Sequence, residues 1–321
     1  MKNCKKKVLW LIFSVIFILG LIYSLSFAGE VVKTTDPSSS LPWWFWPLAL
    51  FIFTFILGIL AVLAGIGGGV LFVPLVSSFF PFHIDFVRGA GLFVALTTAL
   101  SADPGLLRQG FADLRLSIPV ALIASACAII GALVGLKLPS NIIQILLGIT
   151  IIFIVIIMAT AKKAEFPEVK EPDALSKALK ISGIFYDPSI GKEVEWKIHR
   201  TPIGLGLFIL IGIIAGLFGL GAGWANVPVL NLVLGAPIKV AVASSVFLLS
   251  ITDTSAAWIY LNSGAVLPMI VIPSVIGVML GSRVGVRILA ITKPKIIRWI
   301  VILVLGFAGL RALLKGLGIW T

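Results

Sequence analysis

Charge is scarce in this chain: Lys, Arg, Asp and Glu make up 12% of 321 residues, while 60% are hydrophobic and the mean hydropathy is +1.16. A soluble globular domain carries about 25% charged residues, so that class is excluded. Cysteine and histidine are nearly absent, with only Cys4, Cys127, His83 and His199. This excludes a disulfide framework and a cysteine-based zinc cluster, and no metal or cofactor is implied. There is no His-Glu-x-x-His and no Gly-x-Ser-x-Gly elbow, so the chain is not expected to be an enzyme. Acidic residues number 13 against 25 basic ones, giving a net charge of +12. The basic residues stand at the ends of apolar runs rather than on one solvated face. The excess therefore reflects membrane topology and not nucleic-acid binding.

What is present is long apolar sequence. Lys2, Lys5, Lys6 and Lys7 precede an apolar run from Val8 to Phe27, so residues 1–28 read as a signal peptide or an anchor helix; either places residue 30 outside. Pro37 to Ile84 has no Lys, Arg, Asp or Glu, and neither has Thr201 to Ile238. As one helix the second stretch would be about 57 Å long, roughly twice the hydrocarbon thickness of a bilayer. Each stretch is broken by glycines, Gly65-Ile66-Gly67-Gly68-Gly69 and Gly219-Leu220-Gly221-Ala222-Gly223, and so reads as a hairpin that enters and leaves on one side. Three ordinary spans follow each hairpin, near 87–106, 116–136 and 139–161, then near 240–261, 265–282 and 296–314. Between the halves, 162–201 forms a polar insert, read as a solvated linker with a β-hairpin around Asp187-Pro188-Ser189-Ile190-Gly191. Threading from an external residue 30 puts 20 of the 25 Lys/Arg on the cytoplasmic side, the insert included.

The halves are copies. An offset of 154 residues lays Gly58–Pro74 on Gly212–Pro228 with nine of 17 positions identical, among them Gly65/Gly219, Gly67/Gly221, Gly69/Gly223 and Val73-Pro74/Val227-Pro228. The same offset pairs Thr98 with Thr252 and Gly110 with Gly264. An odd number of crossings per unit inverts one copy relative to the other. The expected fold is thus an all-α polytopic membrane protein of two inverted repeats, 43–161 and 202–317. Glycine-broken segments at matched positions are the pattern of secondary transporters, whose site lies between the repeats near the midplane.

A break frees backbone N–H and C=O groups that hydrocarbon cannot satisfy, and a helix restarting there offers N–H donors to an anion. Packing through Gly65-x-x-x-Gly69 and Gly219-x-x-x-Gly223 as small-residue surfaces is the alternative. Candidate ligands are the motif glycines Gly65, Gly67, Gly69, Gly219, Gly221 and Gly223, with Asn226 beyond the second break. Hydroxyls at Thr97, Thr98, Ser244 and Ser245 complete the set. Asp253, inside a span, is a candidate proton carrier, a hydrated place near the interface being its alternative. Arg88 and Arg108 are expected to mark span ends by snorkelling.

The duplicated glycine motif with Val-Pro, the Ala241–Phe247 segment and the loop glycines Gly110 and Gly264 resemble the TauE/SafE sulfite-exporter family across most of residues 50–315. Ala90-Gly91 departs from the Thr-Ser pair usual in the family's first half, while Ser244-Ser245 is kept in the second. The resemblance implies export of sulfite, an organosulfonate or a related small anion. An anion channel, or a membrane scaffold whose insert binds a partner, is the alternative.

Overall fold

The computed structural model describes residues 44–64, 67–108, 113–160, 171–187, 192–289 and 294–319, with Pro167 and Val169. The signal or anchor segment 1–28, Gly65, Gly110 and the turn at 188–191 lie outside the described residues. The first repeat comprises α1 (Phe45–Ala64), α2 (Gly68–Phe79), α3 (Ile84–Arg108), α4 (Leu114–Lys137) and α5 (Ser140–Thr160). The insert holds α6 (Ala174–Ala178), β1 (Ser182–Asp187) and β2 (Lys192–Lys197). The second repeat comprises α7 (Thr201–Phe218), α8 (Gly223–Pro228) running into a π-helical turn Val229–Val233, then α9 (Ile238–Asn262), α10 (Pro268–Leu289) and α11 (Pro294–Gly316). Shifted by 154, α3 becomes α9 to the residue, and α4 and α5 start where α10 and α11 start.

Six described helices are long and apolar enough to cross a membrane: the first part of α3, all of α4, α5, α7 and α9, and the first part of α10. The two hairpins are lopsided. At 1.5 Å per residue α1 is about 30 Å long and α2 about 18 Å, so the first arm is of span length and the second re-enters only part-way. The second hairpin repeats this with α7 against α8 and its π turn. In that turn the Leu234 N–H donates to the Val229 carbonyl, five residues back, at 3.0 Å, immediately after Pro228, whose nitrogen has no hydrogen to donate.

Glycine contacts fix how the repeats interlock. Gly277 lies against Phe51 and Thr54, and Gly281 against Phe55, so α10 runs parallel to α1. Gly212 lies against Ala124 and Gly216 against Ala128, so α7 runs parallel to α4. Gly148 meets Gly309 and Leu313 while Gly316 meets Asn141 and Ile145, so α5 and α11 are antiparallel. Short connections reverse the chain at each step within a repeat. A first helix parallel to the other repeat's fourth, in both directions, therefore requires the repeats to be inverted. Lacking a Cβ, the glycines let these backbones approach closely, the means by which helices associate where apolar burial gives no driving force.

The insert is more than a solvated linker. Its strands pair antiparallel from Ser182 opposite Lys197 to Asp187 opposite Lys192, as the sequence pattern suggests. Its apolar residues Ile181, Trp196 and Ile198, however, are buried. The His199 N–H donates to the Leu234 carbonyl at 3.0 Å, and Thr201 Oγ1 donates to Asp173 Oδ1 at 2.8 Å. Burial pushes the Asp173 carboxyl up, but hydrogen bonds from Thr201 and Ser176 outweigh it and hold the group below its ordinary range. The insert thereby seats on the end of the second hairpin.

Candidate functional site

The two glycine breaks meet. A Cβ added at Gly223 would lie 3.2 Å from the Gly67 nitrogen, and one at Gly69 would lie 2.6 Å from the Leu220 carbonyl oxygen. The second break is shaped by two left-handed residues, Gly219 at φ +66° and Gly221 at φ +70°, a conformation that glycine adopts without steric cost. Gly219 ends α7, its N–H donating to the Ala215 carbonyl at 2.9 Å. The first break ends at Gly67, which caps α2 with φ −59° and ψ 144°; the Val70 N–H donates to the Gly67 carbonyl at 3.2 Å, and the Gly68 and Gly69 N–H groups have no intrahelical acceptor.

Gly67 and Gly221 differ in one respect that matters. A Cβ at Gly221 would lie 3.0 Å from Asp253 Oδ2 and 2.9 Å from the Ala95 Cβ, so that glycine is required by strain and by space. A Cβ at Gly67 would meet only Leu249 Cδ1, at 3.9 Å. Its backbone suits any residue, and it is the one described motif glycine that is not fully buried. Backbone geometry therefore does not bar a side chain at Gly67, and what one would occupy is open space at the junction.

Asp253 stands on α9 with both carboxylate oxygens unpartnered among the described residues and 0% exposure. Leu249, one turn earlier on the same helix, faces Gly67 and Gly223, so the Leu249–Asp253 face lines the junction. Asp253 lies some 15 residues into the 25-residue α9. Trp224 Nε1, Asn226 Oδ1 and Thr252 Oγ1 are likewise buried without partners among the described residues. In the first repeat the counterparts of Asp253, Trp224 and Asn226 are Ala99, Val70 and Phe72. Of these four unpartnered residues only Thr252 has a polar counterpart in the first repeat, Thr98.

Not every expected ligand reaches this place. Thr98 Oγ1 donates to the Val94 carbonyl at 2.8 Å but lies against the α2 terminus, since a Cβ at Gly68 would approach it to 2.5 Å. Thr97 is turned back onto its own helix, donating to the Phe93 carbonyl at 2.7 Å. Ser244 sits about 14 Å along α9 from Asp253, beside the start of α4, with the Asp113 N–H 3.4 Å from its hydroxyl; Ser245 is its buried neighbour. Gly91 explains its departure from a hydroxyl pair: a Cβ there would lie 2.5 Å from the Gly219 carbonyl oxygen, so a serine would push the second break away.

Arg88 does not snorkel. It is 0% exposed, its Nη1 donates to the Leu217 carbonyl at 2.7 Å, its Nη2 donates to the Gly135 carbonyl at 3.2 Å, and it pairs with Asp85. Leu217 belongs to the last turn of α7, immediately before the second break. No periodicity reveals this, because the partner lies 129 residues away.

A match to the family model described as sulfite exporter TauE/SafE covers residues 50–312. The chain is 26% identical over 279 residues to the probable membrane transporter protein YunE of Bacillus subtilis, covering 83% of this chain and 98% of that one. It is 28% identical over 284 residues to the probable membrane transporter protein MJ0441 of Methanocaldococcus jannaschii, covering 83% and 94%. No solved structure matches the chain significantly. Two interlocked repeats of membrane-spanning helices, a junction of paired breaks, and a family match over both repeats lead to one conclusion: the chain belongs to the sulfite exporter TauE/SafE family and is a multi-pass membrane transporter, not an enzyme.

Proposed function

We propose that this transporter carries a small oxyanion, sulfite or an organosulfonate, out of the cell through the junction of the two breaks, with the insert on the cytoplasmic side. The observation that carries the reading is the abutment of Gly67 and Gly223, which brings the α2 terminus, with the Gly68 and Gly69 N–H groups that have no intrahelical acceptor, beside the second break and the Asp253 face. Those donors and the positive end of the helix dipole suit an anion. Gly67, Gly69, Gly221, Gly223 and Asn226 form its surroundings, with Thr98 against the α2 terminus. Gly219 shapes the break, and Thr97, Ser244 and Ser245 lie farther out.

Asp253 supplies the coupling. An anion held about 6 Å from an ionised carboxylate would be repelled by roughly 3 kcal/mol at an effective dielectric near 20, a factor of about a hundred in affinity. Anion and proton therefore bind together, Asp253 taking the proton, and the pair leaves the cell down the anion's own outward gradient. The test is flux of sulfite, sulfate, thiosulfate and small sulfonates in proteoliposomes with and without a proton gradient. Saturable flux of sulfite or a sulfonate that rises when the proton gradient runs in the same direction as the flux is expected; flux that does not saturate, or no flux of any of the panel, contradicts it.

A further inference from the structure

We infer that Arg88 is a positioning residue that holds the second glycine break in the shape the anion requires, with Tyr260 as its helper; the functional part rests on the anion site proposed above. The last carbonyls of a helix have no intrahelical partner, and hydrocarbon offers them no donor. At the end of α7 these groups are met by two side chains from other helices. Arg88 Nη1 donates to the Leu217 carbonyl at 2.7 Å, and the Tyr260 hydroxyl donates to the Gly216 and Leu217 carbonyls at 3.0 and 3.3 Å. The guanidinium carbon stands 5.6 Å from the Tyr260 ring centroid, so the two side chains also hold each other. Nη2 ties the same guanidinium to Gly135 of α4 and to Asp85.

The backbone repeats the connection. Gly219, the left-handed residue that opens the break, lies directly on the Arg88 carbonyl, with no room for a Cβ. Two residues on, Gly221 places the chain against Asp253. Arg88 therefore fixes the direction in which the chain leaves α7, and that direction determines where Gly221 and Gly223 stand relative to Asp253 and Gly67. A cation at a helix C-terminus also suits the dipole. The arrangement is one-sided: at the matched positions of the repeat Arg88 corresponds to Val242 and Tyr260 to Leu106, neither of which carries a donor. The second break is clamped by side chains that the first repeat's symmetry does not supply to the first break.

The experiment pairs a transport readout with one that ignores the anion. Arg88→Gln, Arg88→Lys and Tyr260→Phe are compared with the parent for half-saturating sulfite concentration and maximal flux per folded molecule. In a cysteine-free background, Ala222→Cys in the break and Ser274→Cys, buried on α10, report the rate of alkylation by N-ethylmaleimide. Arg88→Gln is expected to raise the half-saturating concentration at least tenfold, with maximal flux reduced less than threefold, and to speed alkylation at 222 but not at 274. Arg88→Lys should recover part of the affinity, since an ammonium can still serve one carbonyl. Equal acceleration at 222 and 274 means general loosening and overturns the positioning role, as does unchanged alkylation at 222. Selective acceleration at 222 with an unchanged half-saturating concentration upholds the clamp and instead refutes the anion site at the break.

Discussion

Gly67→Ala separates a binding role from a packing role more cleanly than any other single change. The backbone at Gly67 is already suitable for alanine, and the added methyl would touch only Leu249 Cδ1 at 3.9 Å. By unfolded-state entropy the substitution should be neutral or stabilising by about 0.4–1 kcal/mol, so the folded yield should not fall. Packing therefore predicts normal transport. If the open space beside Gly67 is where the anion sits, the methyl occupies it, and sulfite flux at subsaturating concentration should fall at least tenfold, about 1.4 kcal/mol; Gly67→Val should abolish it. Gly306→Val is the control, because a Cβ there meets nothing within 4 Å. Gly221→Ala is the contrasting case. It forces a left-handed alanine, at about 1–2 kcal/mol, against Asp253, and should lose both yield and flux. Flux is measured in proteoliposomes per molecule of monodisperse protein. Normal flux in Gly67→Ala and Gly67→Val would refute the reasoning.

Asp253→Asn should abolish gradient-driven flux while sparing anion-for-anion exchange, because the amide is permanently neutral; unchanged proton dependence would remove the coupling role. Gly216→Val should cut the folded yield severely, since its side chain would run into the Ala128 backbone of α4, and size-exclusion chromatography in detergent reads this out. A cysteine at Ser189 in a cysteine-free background should react with a membrane-impermeant thiol reagent only after cells are opened; reaction in intact cells would reverse the orientation.

The architecture was legible because hydrocarbon imposes strong rules. Charges at span ends put α3 near 87–106 against the observed Ile84–Arg108, the 154-residue offset marked the halves as copies, and the odd number of crossings per copy required their inversion. Proline and glycine marked the breaks. The rest depended on contacts that apolar patterning does not encode. The part-length return arms and the π turn at Val229–Val233 are as apolar as a full span, so hydropathy cannot distinguish them. Arg88 near the start of a helix looks like a snorkelling cation until α7 and α4 are seen to close over it. Ser and Thr hydroxyls were the least legible, because Thr97 satisfies itself four residues back and Ser244 faces a loop rather than the junction. The insert's polar composition likewise hid the few residues, Ile181, Trp196 and Ile198, that seat it.

Equilibrium binding of radiolabelled sulfite to purified protein tests the central claim most directly. One saturable site per chain is expected in the parent and in Gly306→Val, with binding lost in Gly67→Val at equal folded amount. Saturable binding that survives unchanged in Gly67→Val would contradict an anion site at the junction of the two breaks.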